Sequence, residues 1–75
     1  SLVSVREILI ESLKHLAVNV ILLHNHPSGD PSPSKADIDI TKNINNALNS
    51  IGIELIDHIV IGDNCYYSFK EQGII

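Results

Sequence analysis

The chain has 75 residues, of which 44% are hydrophobic and only 19% charged, with a mean hydropathy of +0.16. That length admits one small domain at most, burying roughly 60% of its unfolded surface. So much Ile, Leu and Val in so short a chain fits a piece of a larger body, or a subunit that pairs its surface, and self-association is expected. The net charge is −4 and the basic residues Arg6, Lys14, Lys35, Lys42 and Lys70 are scattered, so the clustered cations that drive nucleic-acid binding are missing. The single Cys65 excludes an internal disulfide and a paired-cysteine zinc site. The longest apolar run, Val20 to Leu23, is too short to span a membrane. No secretory signal is visible, and a cytoplasmic setting is expected.

In chain order, Ser4-x-x-Glu7 is a capping box ahead of apolar residues at Val5, Ile8, Leu9, Leu13 and Leu16. This predicts an amphipathic helix over Val5–Ala17, with Arg6, Glu11 and Lys14 facing water. Val18 to His24 reads as a strand, and its unbroken Val20-Ile21-Leu22-Leu23 core predicts burial on both faces. Asn25 to Pro33 is a Pro- and Gly-containing loop. Ser34 is a good N-cap for a second helix that runs to about Ile51, with Ile38, Ile44, Leu48 and Ile51 on one face and Gly52 as its stop. Ile53 to Ile61 is a second strand. Gly62-Asp63-Asn64 is a tight turn leading to a third strand, Cys65 to Phe69, so the last two strands form a hairpin. The order α-β-α-β-β predicts an α/β body of two or three layers around a small mixed sheet.

The chemistry is concentrated between His24 and Asp37, in the pattern H-x-H-x7-S-x2-D. Residues i and i+2 of an extended chain point to one side, so His24 and His26 project together from the end of the first strand. Asp37 arrives on the first turn of the next helix. Two imidazoles and a carboxylate suit a catalytic zinc ion, which takes three protein ligands and keeps a water in its fourth position. Ser34, one turn ahead of Asp37, could donate a hydrogen bond to an oxyanion. Each residue also has a plainer role: Ser34 as a cap, Asp37 as a carboxylate at the positive end of the helix dipole. Asp30 reads as a turn residue, and Asp57-His58 as a supporting or structural pair in mid-strand. His15 reads as a surface residue near its helix end, and Cys65 as a strand residue without chemistry. The adjacent letters His24-Asn25-His26 do not have the spread of the nuclease motif of that name. A base deaminase would need H-x-E and P-C-x-x-C, and neither occurs.

The pattern H-x-H-x7-S-x2-D resembles the metal signature of the JAB/MPN metallopeptidase superfamily, also called the JAMM motif. The strings His24-Asn25-His26-Pro27-Ser28-Gly29-Asp30-Pro31 and Asp57-His58-Ile59-Val60-Ile61-Gly62, with Ser34 and Asp37, look like its bacterial RadC-like branch. The likeness covers nearly the whole chain, from about Val5 onward. It implies a cytidine-deaminase-like α/β fold, zinc on His24, His26 and Asp37, and Ser34 as a transition-state stabiliser. In peptidase members of the family, zinc-bound water attacks an amide or isopeptide carbonyl. The family's general base is a glutamate on a strand upstream of the H-x-H, and only four residues precede the first helix here. Glu7 and Glu11 lie on that helix and do not fill the role. The expectation is therefore residues 1–75 as one partial RadC-like domain, a zinc-dependent hydrolase acting on an unidentified peptide or protein, without its general base. The alternatives are a non-catalytic JAB/MPN-type interaction module, or a DNA-repair-associated protein acting through partners.

Overall fold

The computed structural model describes residues 4–75. The elements are α1 (Val5–Lys14), β1 (Asn19–Asn25), α2 (Lys35–Ser50), β2 (Glu54–Ile61) and β3 (Tyr66–Ser68). The order α-β-α-β-β is the expected one. The sheet order is β1-β2-β3, with β1 parallel and β2–β3 antiparallel neighbours, so the small mixed sheet is also as expected.

Ser4 caps α1, its hydroxyl accepting from the Glu7 N–H at 3.2 Å. The reciprocal half of that box is not made: the Glu7 carboxylate accepts from the Ser4 hydroxyl instead. The helix stops at Lys14, three residues short of the predicted Ala17. Leu16 takes a left-handed φ of 52°, and the Ala17 N–H turns back to the Ser12 carbonyl at 2.9 Å, a closure usually built on glycine. Leu16 is thereby turned off the apolar face and is 87% exposed, and Leu13, within the last helical turn, is 57% exposed.

α2 carries the full reciprocal box, Ser34 Oγ accepting from Asp37 N–H and Asp37 Oδ2 from Ser34 N–H. It ends as predicted at Gly52, with φ 78° and Ile53 N–H donating back to the Leu48 carbonyl. Ile44, Leu48, Ile53 and Leu55 form the buried centre, with Val5, Ile8, Leu9, Val20, Leu22, Ile40 and Ile75 packed around it. Full burial of a Leu or Ile stabilises by about 1.5–3 kcal/mol, so Ile44 and Leu48 anchor the helix layer to the sheet. Ile51, placed on the same face by the sequence, is instead 44% exposed at the helix end.

Burial on both faces of β1, expected from its apolar run, is not found. Val20 and Leu22 meet the core, whereas Ile21 and Leu23 are 56% and 69% exposed. Both helices pack on one face of the sheet, which makes a two-layer body, and β1 lies at its edge. Among the described residues nothing covers the other face. The β1–β2 register slips at one place: Val20 pairs Leu55 and Ile21 pairs Asp57, so Ile56 is passed over as a bulge. Burial along β2 changes parity at the same point, from Leu55 to His58 and Val60.

Candidate metal centre

The strand-to-helix crossover places the chemistry at the carboxyl end of β1. His26 N–H donates to the Ile61 carbonyl at 2.9 Å, extending the ladder one residue past β1. The loop that follows is held against the β2–β3 turn. Asp63 N–H donates to the Gly29 carbonyl at 2.8 Å, Gly29 N–H to the His26 carbonyl at 3.0 Å, and Gly29 has φ 87°. Gly62 is needed for this close approach: a Cβ there would collide with the Gly29 carbonyl oxygen and stand 2.9 Å from Pro31 Cδ.

His24 and His26 lie side by side as the i, i+2 spacing predicts, their rings edge-to-face with centroids 4.7 Å apart. His26 Nδ1 is 2.9 Å from the Asp30 carbonyl oxygen. A carbonyl can only accept, so Nδ1 carries a hydrogen, and Nε2 is the ring nitrogen that faces the site. That Nε2 stands 3.9 Å from Asp37 Oδ2, with both side chains more than four-fifths buried. The Asp37 carboxyl is held below its ordinary range by the hydrogen bond from the Ser34 backbone N–H, against a burial that pushes it upward. It therefore stands ionised before His26. His24 presents a buried Nδ1 with no hydrogen-bond partner. As they stand, no three His, Cys, Asp or Glu side chains among the described residues converge into a metal-holding cluster. His26 and Asp37 face each other and His24 is the ring beside them.

Ser34 serves as the helix cap, accepting from Asp37 N–H at 3.1 Å, and its hydroxyl also helps to hold the Asp37 carboxyl down. Asp30 is the turn residue it was read to be, its Oδ1 accepting from Ser32 N–H at 3.0 Å. Its part in the site is its backbone carbonyl, a group that every residue carries and that no sequence pattern marks. Asp57 and His58 do not act as a pair of side chains. Asp57 accepts from Ser68 Oγ at 2.5 Å, Lys70 N–H at 2.9 Å and His58 N–H at 2.7 Å, tying β2 to the segment after β3. Burial alone would raise its pKa; these hydrogen bonds outweigh it and hold the carboxyl below its usual range. His58 is fully buried, stacked on Phe69 with ring centroids 4.5 Å apart, and bonded through Nδ1 to Thr41 Oγ1 at 2.8 Å. Only one signal in the sequence points to Thr41, its place a helical turn after Asp37 on the buried face. The glutamates are placed elsewhere: Glu7 and Glu11 along α1, Glu54 opening β2, and Glu71 against the Tyr66 hydroxyl.

A two-helix, three-stranded α/β domain with a small mixed sheet fits the JAB-like α/β fold. A family model described as a RadC-like JAB domain matches residues 1–74. The chain belongs to that family. It is 53% identical over 73 residues to a UPF0758 protein of Shouchella clausii (strain KSM-K16), covering 97% of this chain and 32% of that protein. It is 52% identical over 75 residues to a UPF0758 protein of Alkaliphilus metalliredigens (strain QYMF), covering 100% and 32%. A UPF0758 protein of Desulfitobacterium hafniense is 51% identical over 75 residues, covering 100% and 33%. The chain thus spans about a third of the length of the relatives it matches.

Proposed function

We propose that this chain carries the metal-binding part of a zinc-dependent hydrolase of metallopeptidase type, with His24, His26 and Asp37 as the ligands. The observation behind this reading is the pair His26 Nε2 and Asp37 Oδ2, 3.9 Å apart, with the other ring nitrogen of His26 turned to the Asp30 carbonyl. An imidazole nitrogen and a carboxylate oxygen facing each other are a pair of ligand atoms of the kind zinc takes. The donor set is right for zinc in kind, and the Asp30 carbonyl fixes the His26 tautomer in the way outer partners of metal-bound histidines do. Bound there, zinc would supply an acidified water with a pKa of about 7.

The protein's own groups divide the remaining work. Asp37 holds its charge at the positive end of α2. The Ser34 hydroxyl, one turn away, would donate to the oxyanion of an attacked amide or isopeptide carbonyl. No glutamate among the described residues stands beside these groups as a general base, a role worth about 10^2–10^4 in rate. Full activity therefore belongs to a longer protein that brings the base. The setting proposed is the cytoplasm; among the described residues no helix is long and apolar enough to cross a membrane, and Cys65 is free and exposed.

Elemental analysis tests the reading. About one zinc per chain is expected, lost in His26→Ala and Asp37→Asn. If the unsubstituted protein binds no zinc and His26 is instead doubly protonated against Asp37, the metal reading fails and a non-catalytic JAB-type interaction module takes its place.

A further inference from the structure

Between His26 and Ser34, one exposed residue has its backbone donor, its backbone acceptor and its side chain all engaged. Asp30 donates its N–H to Ser28 Oγ at 3.4 Å and accepts from Ser32 N–H at 3.0 Å through Oδ1. Its carbonyl oxygen stands 2.9 Å from His26 Nδ1. The residue lies at the surface, so burial does not force these bonds on it.

The sequence Asp30-Pro31-Ser32 builds this turn. Pro31 has no N–H to offer, so the carboxylate reaches on to Ser32 N–H, a side-chain copy of a backbone turn. A residue before proline is kept out of the helical region, and the proline ring fixes its own φ. The bond from Ser32 N–H to Asp30 Oδ1 closes a ring of atoms through the Asp30 side chain and the two following peptide units. The Asp30 carbonyl carbon is a member of that ring, so closing it sets where the carbonyl oxygen points. The chain entering Asp30 is held as well: the Gly29 carbonyl accepts from Asp63 N–H at 2.8 Å, and Gly29 N–H donates to the His26 carbonyl at 3.0 Å. The freedom left is that of the Asp30 backbone itself, and the bond to Ser32 takes it up.

We propose that Asp30 is a positioning residue for His26: its carboxylate, by accepting from Ser32 N–H, aims the Asp30 carbonyl at His26 Nδ1 and so holds the ring with Nε2 toward Asp37. Asp30 acts as a hydrogen-bond acceptor and not through its charge, and its carboxylate is no ligand. An outer partner of this kind normally contacts the ligand with its side chain; here the side chain steers a backbone oxygen that makes the contact. The assignment deepens the proposed zinc reading and rests on it for its purpose, but the orientation of the His26 ring exists without metal.

The test is made on the full chain, first metal-free and then with zinc alone. At about pH 8, above the ordinary imidazole value, proton–nitrogen correlations should show His26 as a single tautomer with its hydrogen on Nδ1. Asp30→Ala removes the acceptor. It should let both His26 tautomers appear and weaken zinc binding, measured by chelator competition, about 10- to 100-fold, with little change in the denaturant midpoint. Asp30→Asn keeps Oδ1 and drops the charge, and should restore both the single tautomer and the zinc affinity. Asp30→Asn behaving like Asp30→Ala would assign the effect to charge and overturn the proposal. So would an unchanged His26 tautomer in Asp30→Ala, or a hydrogen found on Nε2 in the unsubstituted protein. A protein that binds no zinc, yet loses its single His26 tautomer in Asp30→Ala and regains it in Asp30→Asn, supports the positioning role while removing the metal reading.

Discussion

At Ser34 the helix cap and the proposed oxyanion contact can be separated by substitution. Ser34→Ala should lower stability by about 1 kcal/mol through loss of the cap, read from denaturant midpoints. Ser34→Asn, a good cap without a hydroxyl, should recover that stability while leaving the proposed hydrolysis impaired. Recovery of both would reduce Ser34 to a cap. Gly62 is governed by space alone. Gly62→Ala forces the Gly29 carbonyl and Pro31 away, and should cost about 1–3 kcal/mol, the usual range for overpacking, with weaker zinc binding because His26 and Asp30 sit on the displaced loop. Asp57 sets an acid limit. Its pKa is lower folded than unfolded, so its contribution is complete above the ordinary carboxylate value near 3.9 and disappears as pH falls through the folded value. Stability against pH should therefore drop below about pH 4 in the unsubstituted chain, and that part of the drop should be missing in Asp57→Asn.

At the scale of elements, the open face of β1 makes the clearest prediction. Ile21 and Leu23 stand exposed on an edge strand, the arrangement that invites pairing between chains. Ile21→Thr with Leu23→Thr should reduce association in sedimentation experiments without disturbing the core, which lies on the other side. Unchanged association would place the contact elsewhere, for example at Leu13 and Leu16. The alternation responsible could not be read from Val20-Ile21-Leu22-Leu23, because an unbroken apolar run carries no record of which layer is present to cover it. The early end of α1 was hidden for a related reason: Leu16 takes a conformation that glycine or asparagine would have announced. What could be read was local. Caps at Ser4 and Ser34, the glycine stop at Gly52 and the turn at Gly62–Asn64 each follow from a few adjacent residues. The histidine pair and its aspartate were legible because their spacing maps directly onto strand and helix periods. Thr41 and His58, seventeen positions apart, were not, since nothing in the sequence joins them.

For the whole molecule, a bound ion would belong to the folding equilibrium. Two of the proposed ligands close β1 and the third opens α2, so a ligand that binds only the folded form clamps the crossover between them. At one hundred times its dissociation constant it adds about 2.7 kcal/mol. Chelation should therefore lower the unfolding temperature by several degrees, and Asp37→Asn should abolish that difference. If the chelated and zinc-loaded proteins melt together, the ion is not bound at this crossover.

The passed-over Ile56 works as a change of reading frame within the sheet. Were the β1–β2 pairing unbroken from Asn19 and Glu54, Leu22 would lie opposite Asp57 and His24 opposite Ile59. Side chains alternate with period two, so a one-residue slip exchanges the faces of everything beyond it. Asp57 would then share a face with His24, and His58 would turn toward the uncovered side. A single supernumerary residue thus determines whether the His24 and His58 rings share one side of the sheet or lie on opposite sides, and deleting Ile56 would rewire the site without altering one of its side chains.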